Sequence, residues 1–198
     1  MDAEMPFLIM PRSDTAVYNA KMGIWLFLAS EVMLFGSLFS SYILLRAGAP
    51  QWPIQAQVMN LPLGTTNTLV LIISSMSMVM AWASLKVNDF QQFRLYMSAT
   101  ILLGILFLFF KSLEYGAHIR EGLFPRTSVF LAVYYLTTGL HALHVLGGII
   151  VNSYLLGPGS RLWGIKPGQF TNRVEVAGLY WHFVDVVWII LFTTLYLL

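Results

Sequence analysis

A histidine and an aspartate sit inside the closing segment from Gly178 to Leu198, GLYWHFVDVVWIILFTTLYLL, which is otherwise a run fit to cross a membrane. Each ionisable group at the centre of a spanning helix costs roughly 2.5–3.5 kcal/mol on insertion scales. A helix carrying His182 and Asp185 therefore turns that face towards protein. The same constraint acts on every other apolar segment of the chain. It predicts a bundle whose polar groups point inward.

Composition agrees. Of 198 residues 58% are hydrophobic and only 10% are charged, against about 25% charged in soluble domains. The mean hydropathy of +0.72 is that of an integral membrane protein. A net charge of +2 is too small to argue for nucleic acid. The sequence has no cysteine, which rules out disulfides, thiolate zinc sites, iron–sulfur clusters, covalent haem attachment and thiolate-bridged copper. The opening MDAEMPFLIMPRSD has no basic region followed by an apolar core, so insertion is expected to be directed by the first spanning helix.

Crossing the hydrocarbon core takes about 20 apolar residues as helix. Five segments qualify, near 22–46, 64–86, 95–116, 127–156 and 174–198. Between them lie short turn-rich stretches: AGAPQWP from Ala47, LKVND from Leu85, HIREGLFPR from His118 and GPGSRLWGIKPG from Gly157. The expected fold class is an all-α membrane bundle of five helices forming one domain over residues 1–198. With the N-terminus inside, the inner segments hold Arg12, Lys21, Lys86, Arg94, Arg161, Lys166 and Arg173. The outer ones hold Arg46, Arg120 and Arg126, and Lys111 falls within the third helix. The positive-inside rule then predicts a cytoplasmic N-terminus and an external C-terminus. Trp52, Trp163 and Trp181 lie near predicted helix ends and read as interfacial anchors.

The polar residues inside the spans are the candidate site. Glu31 lies about 13 Å along the helix axis from Met22. A carboxyl group there needs a hydrogen-bonded neighbour or a role linked to protons or lipid headgroups. Around it Ser30, Ser37 and Ser41 form a small-residue stripe, and Gly36 with Ser40 is a spacing that permits close helix contact. Met76, Met78 and Met80 alternate around the second helix and read as flexible core packing. Lys111 and Glu114 stand at i,i+3 and read as a mutually neutralising pair.

On the fourth helix His141 and His144 share a face with Gly148 and Asn152. An HxxH pair invites a metal or haem, but a metal site would want a third ligand from another helix, so structural or lipid-contacting roles are preferred. On the fifth, Glu175, Gly178, His182 and Asp185 recur at steps of three, four and three. His182 and Asp185 are expected to share a proton or hydrogen bond. Facing the fourth helix, the stripe would join His141 and His144 in one buried network. No nucleophile completes a triad, so hydrolase chemistry is unsupported.

Taken together, KMGIWLFLASEVMLF, PLGTTNTLVLIISS, FKSLEY, TTGLHALHVLGG and YWHFVDVVWIILF resemble, in order, subunit III of the haem–copper oxidases, the terminal oxidases of respiration. The resemblance implies an accessory subunit of a proton-pumping enzyme that reduces O2 to water, with no catalytic centre, cofactor or metal of its own. Haem and copper are expected in partner subunits. It also implies packing against subunit I away from subunit II, support of proton uptake and turnover stability, and bound phospholipid. The family's intramembrane glutamate maps onto Glu31, its helix-three glutamate onto Glu114, its histidine pair onto His141 and His144, and its final-helix acid onto Glu175.

Longer members have seven helices, and the match begins at the third, as in short five-helix bacterial forms. Membrane lipid, small accessory subunits and a respiratory supercomplex are further expected partners, in a prokaryotic plasma membrane. Cytochrome c is the expected donor, with quinol the alternative. Two readings of other classes remain: a bis-histidine haem b cytochrome using His141 or His144 with His182, and an autonomous proton channel.

Overall fold

A computed structural model describes residues 18–53 and 59–197, and all its regular elements among these are helical. The long helices are α1 (Asn19–Gly48), α2 (Leu61–Lys86), α3 (Phe90–Arg120), α4 (Val129–Leu156) and α5 (Pro167–Phe192). A 3-10 helix, Pro158–Gly164, precedes α5, and a wider π-helical turn, Thr193–Leu197, continues it. All five long helices have the length and apolar character needed to cross a membrane. Arg12 and Leu198, used in the sequence reading, lie outside the described residues.

Four of the five long helices begin earlier than hydropathy predicts, and side-chain caps set the start of three of the five. The Asp89 carboxylate accepts the Gln92 N–H at 2.9 Å and starts α3 at Phe90 rather than near Leu95. Asn60 caps α2 through the Leu63 N–H at 3.1 Å, and Ser128 caps α4 through that of Leu131 at 3.1 Å. The α5 helix opens on Pro167, whose missing N–H costs nothing at a first position. It thereby takes in the polar run from Gln169 to Arg173 that the expected start near Val174 excluded. Asn88 turns the chain between α2 and α3 with φ 60°, a conformation asparagine tolerates.

Helices α2, α3, α4 and α5 close into a four-helix ring, each packed on its neighbours and α5 returning to α2. The α1 helix lies outside that ring against α4 and α5. It runs parallel to α5: the Lys21 ammonium meets Glu175 at 2.6 Å near one end, and the Tyr42 hydroxyl donates to the Thr194 carbonyl at 3.0 Å near the other. Lipid tails are as apolar as leucine, so such a bundle is held by close packing and interhelical hydrogen bonds. Close packing is visible at Trp181. A Cβ on Gly148 would come within 2.6 Å of its indole, and one on Gly104 within 2.9 Å.

Trp181 is therefore not an interfacial anchor. It is 1% exposed, in the interior of the ring, and its indole N–H donates to Ser74 Oγ at 3.1 Å. The anchor reading failed because the real start of α5 moves Trp181 to mid-helix. Trp163 stacks on Phe90 with centroids 5.7 Å apart, and Trp52 meets Tyr42 and Phe130 edge-on.

Candidate functional site

The intramembrane polar residues do not form one network. They divide among separate assemblies, each built between different helices.

The first joins α1 to α4. Glu31 Oε2 lies 3.0 Å from His144 Nε2, with the two side chains 14% and 17% exposed. His144 Nδ1 is 2.8 Å from the Leu140 carbonyl. A carbonyl only accepts, so Nδ1 carries a hydrogen. Nε2 then either donates to a carboxylate or accepts from a carboxylic acid. In both states a single proton lies between imidazole and carboxyl, and the pair as a whole is neutral. The Phe35 ring stands edge-on to the imidazole at 5.3 Å, and the Tyr180 hydroxyl donates to the His144 carbonyl at 2.9 Å.

The second is buried among α3, α4 and the turn after α5. Lys111 and Glu114 meet at 2.8 Å, 3% and 1% exposed. The ammonium has three protons and three acceptors: Glu114 Oε2, the Tyr134 hydroxyl at 3.1 Å and the Tyr196 hydroxyl at 2.9 Å. Tyr196 in turn donates to Glu114 Oε1 at 2.6 Å. The rings of Tyr115, Tyr134, Trp188 and Tyr196 stand 5.0–5.5 Å from Nζ and face the cation with their electron-rich sides. Tyr134 and Tyr196 escaped the sequence reading. The available signal was a phenol in an apolar helix, whose hydroxyl wants a partner when buried.

The stripe on α5 is split. Glu175 is held by Lys21 and by the Tyr18 hydroxyl at 3.2 Å, so it fastens the start of α1. Tyr18 precedes the first span, and burial together with the Glu175 charge pushes its phenol above the ordinary range. His182 Nδ1 pairs with Ser75 Oγ of α2 at 2.7 Å, not with Asp185 as expected. Residues at i,i+3 are near neighbours, but the α2 hydroxyl sits where the imidazole points. Asp185 is 5% exposed, and neither carboxyl oxygen makes a hydrogen bond among the described residues.

His141 is also separate from His144. It is fully buried against Phe107 and Trp188, at 5.6 and 5.2 Å between ring centroids, and both nitrogens lack a hydrogen bond among the described residues. The two histidines sit at i,i+3 but open into different compartments. Among the described residues no three His, Asp or Glu side chains are grouped to hold a metal ion. His141, His144 and His182 point to Trp188, Glu31 and Ser75 respectively, so no two of them face one another across a haem-sized space.

The small-residue stripe of α1 faces away from the bundle. Ser30, Ser37 and Ser41 are exposed and donate to their own helix's carbonyls at 2.7, 2.7 and 2.8 Å. A Cβ on Gly36 would meet nothing within 4 Å, so within this chain the stripe makes no helix contact. A cavity of about 490 Å³ lies where α1, α4 and α5 meet, walled by Ile24, Phe27, Val151, Val176 and Tyr180 with Arg173 at its edge.

The profile of the family Cytochrome c oxidase subunit III matches residues 12–198. Cytochrome c oxidase subunit 3 of Thermostichus vulcanus is 39% identical over 182 residues, covering 89% of this chain and 86% of that protein. The protein of the same name from Alkalihalophilus pseudofirmus is 37% identical, covering 91% of this chain and 87% of its own length. A probable cytochrome c oxidase subunit 3 of Nocardia farcinica is 37% identical, covering 88% and 86%.

Proposed function

The chain belongs to the cytochrome c oxidase subunit III family, and we propose from this that it acts as a non-redox accessory subunit of a proton-pumping terminal oxidase. It is thus a subunit III of a haem–copper oxidase, a multi-pass component of an oxidoreductase complex. In the proposed role it packs on subunit I, away from subunit II of the same complex, in a prokaryotic plasma membrane. It supports proton uptake and keeps the enzyme active over many turnovers. Cytochrome c is the proposed donor, as the names of its relatives suggest.

The observation that carries this reading is the Glu31–His144 pair at 3.0 Å. It sits about 18 Å along α1 from Asn19, places an imidazole and a carboxyl group at hydrogen-bond distance, and joins the peripheral helix to the ring. A partly exposed pair of this kind can take up a proton on one side and release one on the other, which leaves its net charge unchanged once the transfer is complete. The α1–α4–α5 cavity supports the lipid part of the proposal: its apolar walls suit an acyl chain, and Arg173 suits a phosphate headgroup. The separation of His141, His144 and His182 favours this reading over a bis-histidine cytochrome.

Glu31→Gln in the intact oxidase is the test. Haem content should stay at the parent level, while proton uptake or turnover lifetime falls. Parent values for both functional readouts would remove the proposed role of the pair.

A further inference from the structure

One buried cluster is not used in that role. The Lys111–Glu114–Tyr134–Tyr196 assembly lies deep in the bundle, yet a pocket reaches it from one end. This pocket, about 290 Å³, opens between the start of α2 and the end of α3. Asn60 and Glu121 stand exposed at its mouth, Leu63 and Ala117 form its sides, and His118 and Glu114 form its floor. At about 30 Å³ per molecule this is room for several waters.

The floor is polar and incompletely satisfied. His118 is 4% exposed, and its Nδ1 makes no hydrogen bond among the described residues. An orphaned nitrogen of this kind is costly unless water or another partner reaches it. Glu114 is 2% exposed and already bonded to both Lys111 and Tyr196. Along α3 the residues Lys111, Glu114, His118 and Glu121 follow steps of three, four and three, so they form one face running from the core to the helix end.

We infer that this pocket is a proton-exchange port: it admits water to His118 and Glu114, and through them the buried cluster exchanges protons with one aqueous face of the membrane. The titratable groups facing it come from three elements. From α3 come Lys111, Glu114, Tyr115, His118 and Glu121. The α4 helix presents Tyr134 and Tyr135, whose ring centroids are 5.6 and 6.5 Å from that of His118. The turn after α5 presents Tyr196, and α2 adds only the amide of Asn60. A proton entering at His118 passes by pocket water to Glu114. From there the existing hydrogen bonds lead to Tyr196, Lys111 and Tyr134. No bond other than those to hydrogen changes, and the site is distinct from the Glu31–His144 pair. The inference stands on this geometry alone and not on the role proposed above.

Infrared-detected hydrogen–deuterium exchange on the purified, intact complex tests it, with the buried tyrosine bands assigned by Tyr196→Phe. In the parent these bands should shift soon after transfer to D2O. His118→Phe removes the relay, and Ala117→Leu narrows the pocket from an exposed position where misfolding is not expected. Each should slow the exchange on the order of tenfold, the scale of one lost buried polar step. Equal rates in parent and Ala117→Leu, or parent bands that never exchange, would overturn the port. If His118→Phe fails to assemble, Ala117→Leu decides the question alone.

Discussion

At the scale of single residues, the most exacting arrangement is the Lys111 ammonium, with all three protons placed on oxygen acceptors and four aromatic rings around it. Breaking a buried pair from one side leaves the other charge uncompensated, which costs about 3–5 kcal/mol. Lys111→Met should therefore lower the thermal stability of the complex sharply. Lys111→Met combined with Glu114→Gln should recover part of the loss, since neither half then carries an unpaired charge. A double variant no better than the single one in a thermal melt would contradict the pairing. The Ser75–His182 contact is a smaller matter. Interhelical hydrogen bonds in membranes average about 0.6 kcal/mol, so Ser75→Ala should cost little in the same melt, and a loss of several kcal/mol would show that Asp185 depends on Ser75 as well.

At this scale local contacts can be read from spacing and long-range ones cannot. The i,i+3 spacing of Lys111 and Glu114 is a local fact, and the sequence reading paired them correctly. The partner of His182 lies 107 positions away on α2, and nothing local distinguishes Ser75 from its neighbours Ser74 and Ser77. His141 and His144 look like one motif on paper. At about 100° per residue, three residues leave the two side chains about 60° apart around the helix, enough to send one imidazole to the ring's centre and the other to α1.

At the scale of helices, apolar length alone located all five spans, because a membrane leaves the backbone no alternative to satisfying its own hydrogen bonds. Their starts differ where a polar first turn extends the helix beyond the apolar run, capped by Asp89 before Phe90 and opened by proline at Pro167. That error had a structural consequence, since it made Trp181 look terminal. The crossing of α3, α4 and α5 now rests on Trp181 seated between Gly104 and Gly148. Gly148→Ala places a methyl group within 2.6 Å of the indole. Overpacking of this kind costs about 1–3 kcal/mol. The variant should assemble in lower yield, and Gly148→Ala with Trp181→Phe should regain some of it. Parent yield from Gly148→Ala would show that the helices separate freely there.

At the scale of the whole molecule, a four-helix ring holds most of the buried polar groups and α1 is an outrigger. That helix is fastened at Lys21–Glu175, Glu31–His144 and Tyr42–Thr194. Its outer side presents Leu26, Met33 and Leu44 at 70%, 76% and 72% exposure to whatever surrounds the chain. An arrangement with its ionisable groups turned inward and its apolar side chains outward suits surroundings of lipid or of other apolar helices.

We propose that the chain is an accessory part of an oxidase and carries none of its redox centres. Affinity purification of the tagged chain from its own membranes in mild detergent tests this directly, with haem absorbance and subunit content read before and after the chain is dissociated. The oxidase's haem-bearing subunits should co-purify in fixed proportion, and the dissociated chain should be colourless. A chain recovered alone, or one that retains haem after dissociation, would contradict it.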